Sequence, residues 1–158
     1  MRSWIEFSLE APEIADLGKQ MLLQTRANIG FAFLATIRKD GGPRLHPISL
    51  VFSTDHLFVF ISPVSPKCGD LERDGRYALQ AFPPADNQEG REFYISGCAV
   101  CISDPSTRQT IIAETGTFVE EHEMLFELLV DKAMYTILVD RGAPNEHPWH
   151  RIWPTPVH

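Results

Sequence analysis

Ser65-Pro66-Lys67 is the triplet in this chain most readily assigned a chemistry. Serine suits a helix cap and proline the first helical position, so the triplet predicts a helix start with a lysine in its first turn. A phosphate monoester seated there gains backbone N–H donors, the positive end of the helix dipole and a charge-assisted bond from the ammonium. An ordinary capped helix with a solvated lysine explains the same residues, and the motif alone does not separate the two. Arg44, Arg73 and Arg76 could serve as auxiliary cations. Taken singly, each also fits a solvated surface charge.

Other groups invite chemistry and carry less of it. Cys98-Ala99-Val100-Cys101 has C-x-x-C spacing but falls in a strand-like run, where residues three apart point to opposite faces. A thioredoxin-type pair needs a helix N-terminus, and a zinc site needs a second ligand pair. Buried structural thiols are therefore expected, while the context of Cys68 decides nothing. Glu146, His147 and His150 are spaced like a metal fragment, yet they sit in a Pro-rich segment without H-E-x-x-H, so no metal is expected. Trp149 and Trp153 could stack on a ring or cover an interface. His46 precedes Pro47, which cannot donate to a sheet ladder, so that strand should be an edge or be locally broken. A free backbone edge suits a flat polar ring, and a β-bulge explains the proline equally well. The chain has no Ser-His-Asp order, G-x-S-x-G or G-x-G-x-x-G.

The elements that would position these groups are mostly strands. Pro12 to Ala27 reads as a helix, with Ile14, Leu17, Met21 and Leu22 on one face. Phe31 to Ile37 alternates as a strand that could be covered on both faces. Lys39-Asp40-Gly41-Gly42 turns the chain into a second strand, Arg44 to Phe52, completing a hairpin. A third strand covers His56 to Ile61, and the helix opened by Ser65-Pro66 runs to about Arg73. A fourth strand covers Tyr77 to Phe82, and a loop Pro83 to Gly90. A fifth strand spans Glu92 to Ile102, with Gly97 as a bulge or close-approach point. Asp104-Pro105 starts a helix to about Thr115. The apolar runs Leu125 to Val130 and Ala133 to Val139 fit one helix or two strands, and the preceding strands favour the latter. Asp140 to His158 reads as a loop and a last short strand. Many short strands with helices at turns predict a mainly β chain forming an antiparallel barrel rather than a βαβ sheet.

Size and composition agree with that class. At 158 residues the chain should form one domain with its own core. A net charge of −7, without a Lys/Arg stripe, argues against nucleic acid as a partner. Met1 to Glu10 has no continuous apolar stretch, so no signal peptide or membrane segment is expected. Three cysteines make no disulfide framework, and a cytoplasmic location follows as the expectation.

Phe33-Leu34-Ala35-Thr36, then Asp40-Gly41-x-Pro43-Arg44-x-His46-Pro47, then Ser65-Pro66-Lys67-x-x-Asp70-Leu71-x-x-Asp74-x-Arg76 resemble the pyridoxamine 5′-phosphate oxidase-like family of FMN-binding split barrels. Glu92 to Gly97, Asp104-Pro105 and His150 to Pro154 extend the resemblance over nearly the whole chain. It implies a six-stranded antiparallel split barrel, a homodimer with FMN at the subunit interface, and hydride transfer to or from a small molecule. It also implies cofactor-binding roles by position. His46, Pro47, Ile48 and Ser49 would run along the flavin ring through their backbone. Ser62, Ser65 and Lys67 would hold the phosphate and ribityl chain, and Trp153 would approach the cofactor across the interface. Glu92 falls near a flavin-contacting Gln of the oxidases. The oxidases proper carry Arg where this chain has His46, a Lys at the end of that strand, and a basic C-terminal Arg-x-His. Those departures argue against vitamin B6 oxidation. A deazaflavin-dependent reductase and a non-catalytic flavin or haem binder are the alternatives.

Overall fold

The computed structural model describes residues 1–24 and 28–154. In chain order the elements are α1 (Trp4–Glu10), α2 (Pro12–Leu22), β1 (Ile29–Ile37), β2 (Pro43–Ser53), β3 (His56–Ile61), α3 (Pro66–Arg73), β4 (Arg76–Ala81), β5 (Glu92–Ile102), α4 (Pro105–Thr115), β6 (Met124–Val139) and β7 (His147–Trp153). Neighbouring strands run in the order β3-β2-β1-β4-β5-β6-β7. Every pairing is antiparallel, and β3 also pairs with β6. That contact closes the first six strands into the expected barrel and leaves β7 as an extra strand on the flank of β6. Among the described residues no helix is long and apolar enough to cross a membrane.

The core fills by strand alternation. Leu34, Leu50, Leu57, Phe93, Ile95 and Leu128 all point inward and are almost fully enclosed. The first helix, α1, is one that the periodicity of the sequence did not suggest. A capping box starts it: the Ser3 amide donates to Glu6 Oε2 at 2.8 Å, and the Glu6 amide donates to the Ser3 hydroxyl at 3.4 Å. Three-residue spacing then puts Trp4 and Phe7 on one buried face, and the Trp4 ring meets Phe52 edge-on at 4.9 Å. The next helix, α2, stops at Leu22 rather than continuing to Ala27, and residues 25–27 lie outside the described residues. It packs against β5 because Gly18 has no Cβ; one would fall 2.2 Å from the Phe93 ring.

Two strand expectations change. Residues 124–139 form one continuous strand, not two. Opposite Ser96 stands Lys132 and opposite Gly97 stands Val130, so Asp131 is the extra residue of a bulge. Gly97 is required there, since a Cβ would lie 1.9 Å from the Leu129 carbonyl oxygen. In β1, only the face of Ala32, Leu34 and Thr36 is covered within the chain. Phe31 and Phe33 stand on the open outer face, which none of the described residues covers.

Candidate functional site

The second strand, β2, pairs with the whole of β1, from Pro43 opposite Ile37 to Val51 opposite Ile29. Toward β3 it pairs only through Val51, Phe52 and Ser53. Residues 43–50 therefore have one unpaired edge, and Pro47 falls within it as its missing N–H requires. This parting of the barrel opens a cleft of about 340 Å³. One wall is Pro47, Ile48 and Ser49, and the opposite wall is Ile61, Ser62, Ser65 and Lys67. Six of the residues expected at a cofactor thus meet in one place.

The Ser62–Lys67 wall is held by its own backbone. The Ser65 amide donates to the Ser62 carbonyl at 2.9 Å, and the Cys68 amide donates to the Ser65 carbonyl at 2.9 Å. Ser65 occupies the cap position with an extended backbone, but its hydroxyl makes no cap hydrogen bond, contrary to the expected side-chain cap. Closing the turn through the Ser62 and Ser65 carbonyls leaves the hydroxyl facing the cleft, where Lys67 Nζ donates to it at 3.2 Å. Pro66 has no N–H, so the first amide of α3 without an intrahelical partner belongs to Lys67. Hydroxyls, an amide and an ammonium converge here.

The three arginines near this wall are engaged elsewhere. Asp70, 3% exposed, accepts from Arg44 Nε at 2.6 Å, from the Thr36 hydroxyl at 2.9 Å and from Arg73 Nη2 at 3.2 Å. Burial pushes its carboxyl up, but the Arg44, Thr36 and Arg73 hydrogen bonds outweigh that and hold it below the ordinary aspartate range. Arg73 also donates to the Ile37 carbonyl. Arg76 pairs with Asp74 at 2.6 Å, and its hydrogen bond draws that carboxyl down to about 2. None of the three lines the cleft, so Lys67 is its only cation among the described residues. Asp70 instead ties α3 to β1 and to the unpaired half of β2, joining the two walls beneath the opening.

A third wall was not foreseen from the sequence. Thr117, Phe118, Val119 and Glu123 line the cleft from the segment after α4. Gly116 ends that helix in the left-handed region at φ 61°, and Arg108 fixes the far end by donating to the Glu123 carbonyl at 2.6 Å and the Glu120 carbonyl at 2.7 Å. Phe118, 91% exposed, is the largest apolar side chain presented there without cover. The sequence placed the end of this helix near Thr115; the return of the following segment over the cleft is a tertiary fact.

Three expected positions lie apart from the cleft lining. The His46 side chain does not line it; its Nε2 is enclosed and has no hydrogen-bond partner among the described residues. Trp153 packs on Phe7 of its own chain, ring centroids 4.9 Å apart, opposite Ala133 of β6. Glu92 opens β5 opposite Thr136. Of the thiols, Cys68 is buried, but Cys98 is half-buried and Cys101 exposed, so the burial expected for the C-x-x-C pair is not met. No group of His, Cys, Asp and Glu suited to a metal occurs among the described residues, and His150 Nδ1 lies 2.9 Å from the Thr136 hydroxyl.

No protein-family model and no curated protein matches the chain. Solved structures do. HutZ, the heme storage protein from Vibrio cholerae, is 17% identical with a TM-score of 0.58, covering 83% of this chain and 92% of that one. A NimC/NimA family protein from Clostridium acetobutylicum is 12% identical, with a TM-score of 0.56 over 94% of each chain. A heme binding protein from Mycobacterium smegmatis is 13% identical with a TM-score of 0.57, covering 84% of this chain and 56% of that longer one. At these identities the likeness is one of fold, and the fold is the split barrel.

Proposed function

We propose that the protein is an FMN-binding oxidoreductase of the pyridoxamine 5′-phosphate oxidase-like kind, working as a homodimer on a small molecule other than vitamin B6. The observation that carries this reading is the unpaired edge of β2 facing the hydroxyls and ammonium of the Ser62–Lys67 wall. A flat polar ring needs backbone donors and acceptors along one edge, and a phosphate needs hydroxyls and a cation a short chain away. The cleft offers both, at a volume within the range of small-ligand sites. FMN, when bound, accepts and delivers hydride; the chain has to bind, orient and shield it.

The division of labour follows from placement. Lys67 supplies charge to the phosphate, with Ser65, Ser62 and the Lys67 amide as its hydrogen-bond donors. Pro47, Ile48, Ser49 and the backbone of His46 lie along the ring, and Phe118 excludes water from the third side. Phe31, Phe33 and Leu45 form an open apolar face, with Leu45 64% exposed and Phe33 opposite Pro47 in register. That face adjoins the cleft, so a second copy seated on it would cover the cofactor, and Trp153 would act on the partner's flavin rather than its own.

A haem carrier without turnover is the second reading, favoured by the haem proteins among solved structures of this fold. A deazaflavin would be favoured by a long basic groove beyond the phosphate seat, but Glu123 is the other charged residue of the cleft. An absorption spectrum of the purified protein, with mass spectrometry of the material released on denaturation, separates the three. Flavin bands and released FMN are expected; a Soret band would transfer the assignment to haem. A colourless protein that takes up neither FMN nor deazaflavin would sink the proposal. Bleaching by NADH or NADPH then tests turnover.

A further inference from the structure

A second cavity, of about 230 Å³, lies between α2, the loop before β5, and β6, and shares no lining residue with the cleft. Its floor is apolar, from Leu17 and Met21 on α2 and Pro84 on the loop. Four polar side chains line it, Gln20, Gln24, Arg91 and Tyr135, of which Gln24 is engaged by backbone carbonyls. Arg91 Nε is enclosed and has no hydrogen-bond partner among the described residues; the nearest carboxylate, exposed Glu89, is 3.6 Å away. Enclosed guanidinium N–H groups are ordinarily paired, so an orphan at a cavity wall calls for an acceptor from outside. Tyr135 is almost fully buried, and its titration is raised, chiefly by desolvation, with the Arg91 charge opposing.

The frame around these groups is built. The Arg91 amide donates to Asn87 Oδ1 at 2.6 Å, and Asn87 Nδ2 returns a bond to the Arg91 carbonyl at 3.1 Å. Arg141 donates to the Gln88 carbonyl at 2.8 Å, and the Leu138 amide donates to the Glu89 carbonyl at 2.8 Å. On the opposite side Gln24 Nε2 bridges the Met21 and Phe82 carbonyls, each at 2.7 Å. The loop backbone is thereby pinned to β6, while the half-exposed guanidinium holds, among the described residues, only the 3.6 Å ion pair with exposed Glu89, a contact that an anion in the cavity can replace.

The geometry points to a binding site for a small organic carboxylate, its apolar body on Leu17, Met21 and Pro84 and its carboxylate on Arg91 and the Tyr135 hydroxyl. A guanidinium fork matches a carboxylate bidentately, and a phenol hydroxyl adds a third donor. The size suits one ring, since an apolar cavity of about 150 Å³ already holds benzene. Charge sets the selectivity: a neutral molecule of the same shape fills the floor but leaves the guanidinium unpaired.

Titration of the full chain, labelled with ¹³C-methyl methionine, with sodium benzoate tests this, because Met21 is one of the residues lining the cavity. A saturable shift of Met21 is expected with benzoate, and much weaker binding with benzyl alcohol. Arg91→Gln should weaken benzoate by about tenfold or more. Tyr135→Phe should weaken it several-fold and serves as the second variant should Arg91→Gln misfold. No saturable shift, equal binding of benzyl alcohol, or undiminished affinity in a folded variant would overturn the assignment.

Discussion

Asp70→Asn is the substitution that most directly tests how the two walls of the cleft are joined. The native carboxylate is 3% exposed and receives Arg44, Thr36 and Arg73, so the change removes the anion while keeping its shape. Breaking a fully buried ion pair from one side costs about 3–5 kcal/mol, because the remaining charge is stranded. Here the stranded groups are not fully buried: the Arg44 side chain is 23% exposed and that of Arg73 37%. Both recover part of their hydration, which lowers the expected loss to about 2–3 kcal/mol. For a chain of this length that corresponds to a fall in Tm of roughly 5–10 °C. The pH dependence gives the reasoning a second edge. Hydrogen bonds hold the folded carboxyl below the ordinary aspartate value of 3.8. Its contribution is therefore complete above that value and disappears as the pH falls through the folded one. Urea unfolding followed by far-UV circular dichroism at about pH 7 and again near pH 3 measures both, and the gap between native and variant should shrink on acidification. Equal stability at neutral pH, or a gap that persists undiminished in acid, would refute the electrostatic account.

Lys67→Ala should weaken FMN about tenfold, or ~1.4 kcal/mol, and leave riboflavin untouched, since only the phosphate meets the ammonium. Parallel losses for both flavins in a calorimetric titration would place the phosphate elsewhere. Phe33→Glu puts a charge on the open face where the Phe33 and Phe82 rings lie 4.4 Å apart. If the proposed homodimer forms through this face, sedimentation should show the variant as a monomer where the native chain is a dimer; an intact dimer would mean that another face is used. Gly97→Ala forces a Cβ to within 1.9 Å of the Leu129 carbonyl, so the bulge must reopen at a cost of about 1–3 kcal/mol. A denaturation midpoint equal to the native one would show that the strand pair absorbs the methyl group freely.

The signals that succeeded in the sequence were local. β3 and β5 keep their expected bounds, and α3 and α4 start at Pro66 and Pro105 as prolines at the first helical position dictate, with a side-chain cap only at Asp104. The capping box at Ser3 and Glu6 was equally local, but a seven-residue helix shows too little periodicity to stand out from its flanks. What the chain could not display is which distant group claims each local one. Arg44, Arg73 and Arg76 look alike as charges; only the fold assigns two of them to Asp70 and one to Asp74, leaving Lys67 to the cleft. Asp131-Lys132 looks like a turn between two apolar runs, yet the bulge opposite Gly97 absorbs Asp131 and the strand continues. The same logic explains the cleft itself. Pro47 announced a broken ladder, but it took the short β2–β3 pairing to show that the break faces Ser65 and Lys67, and the return of Phe118 to close the third side. A binding site in a barrel of this kind is thus written in two scripts. One is a set of local exceptions to strand chemistry, legible in sequence; the other is the pairing of those exceptions, which only register decides.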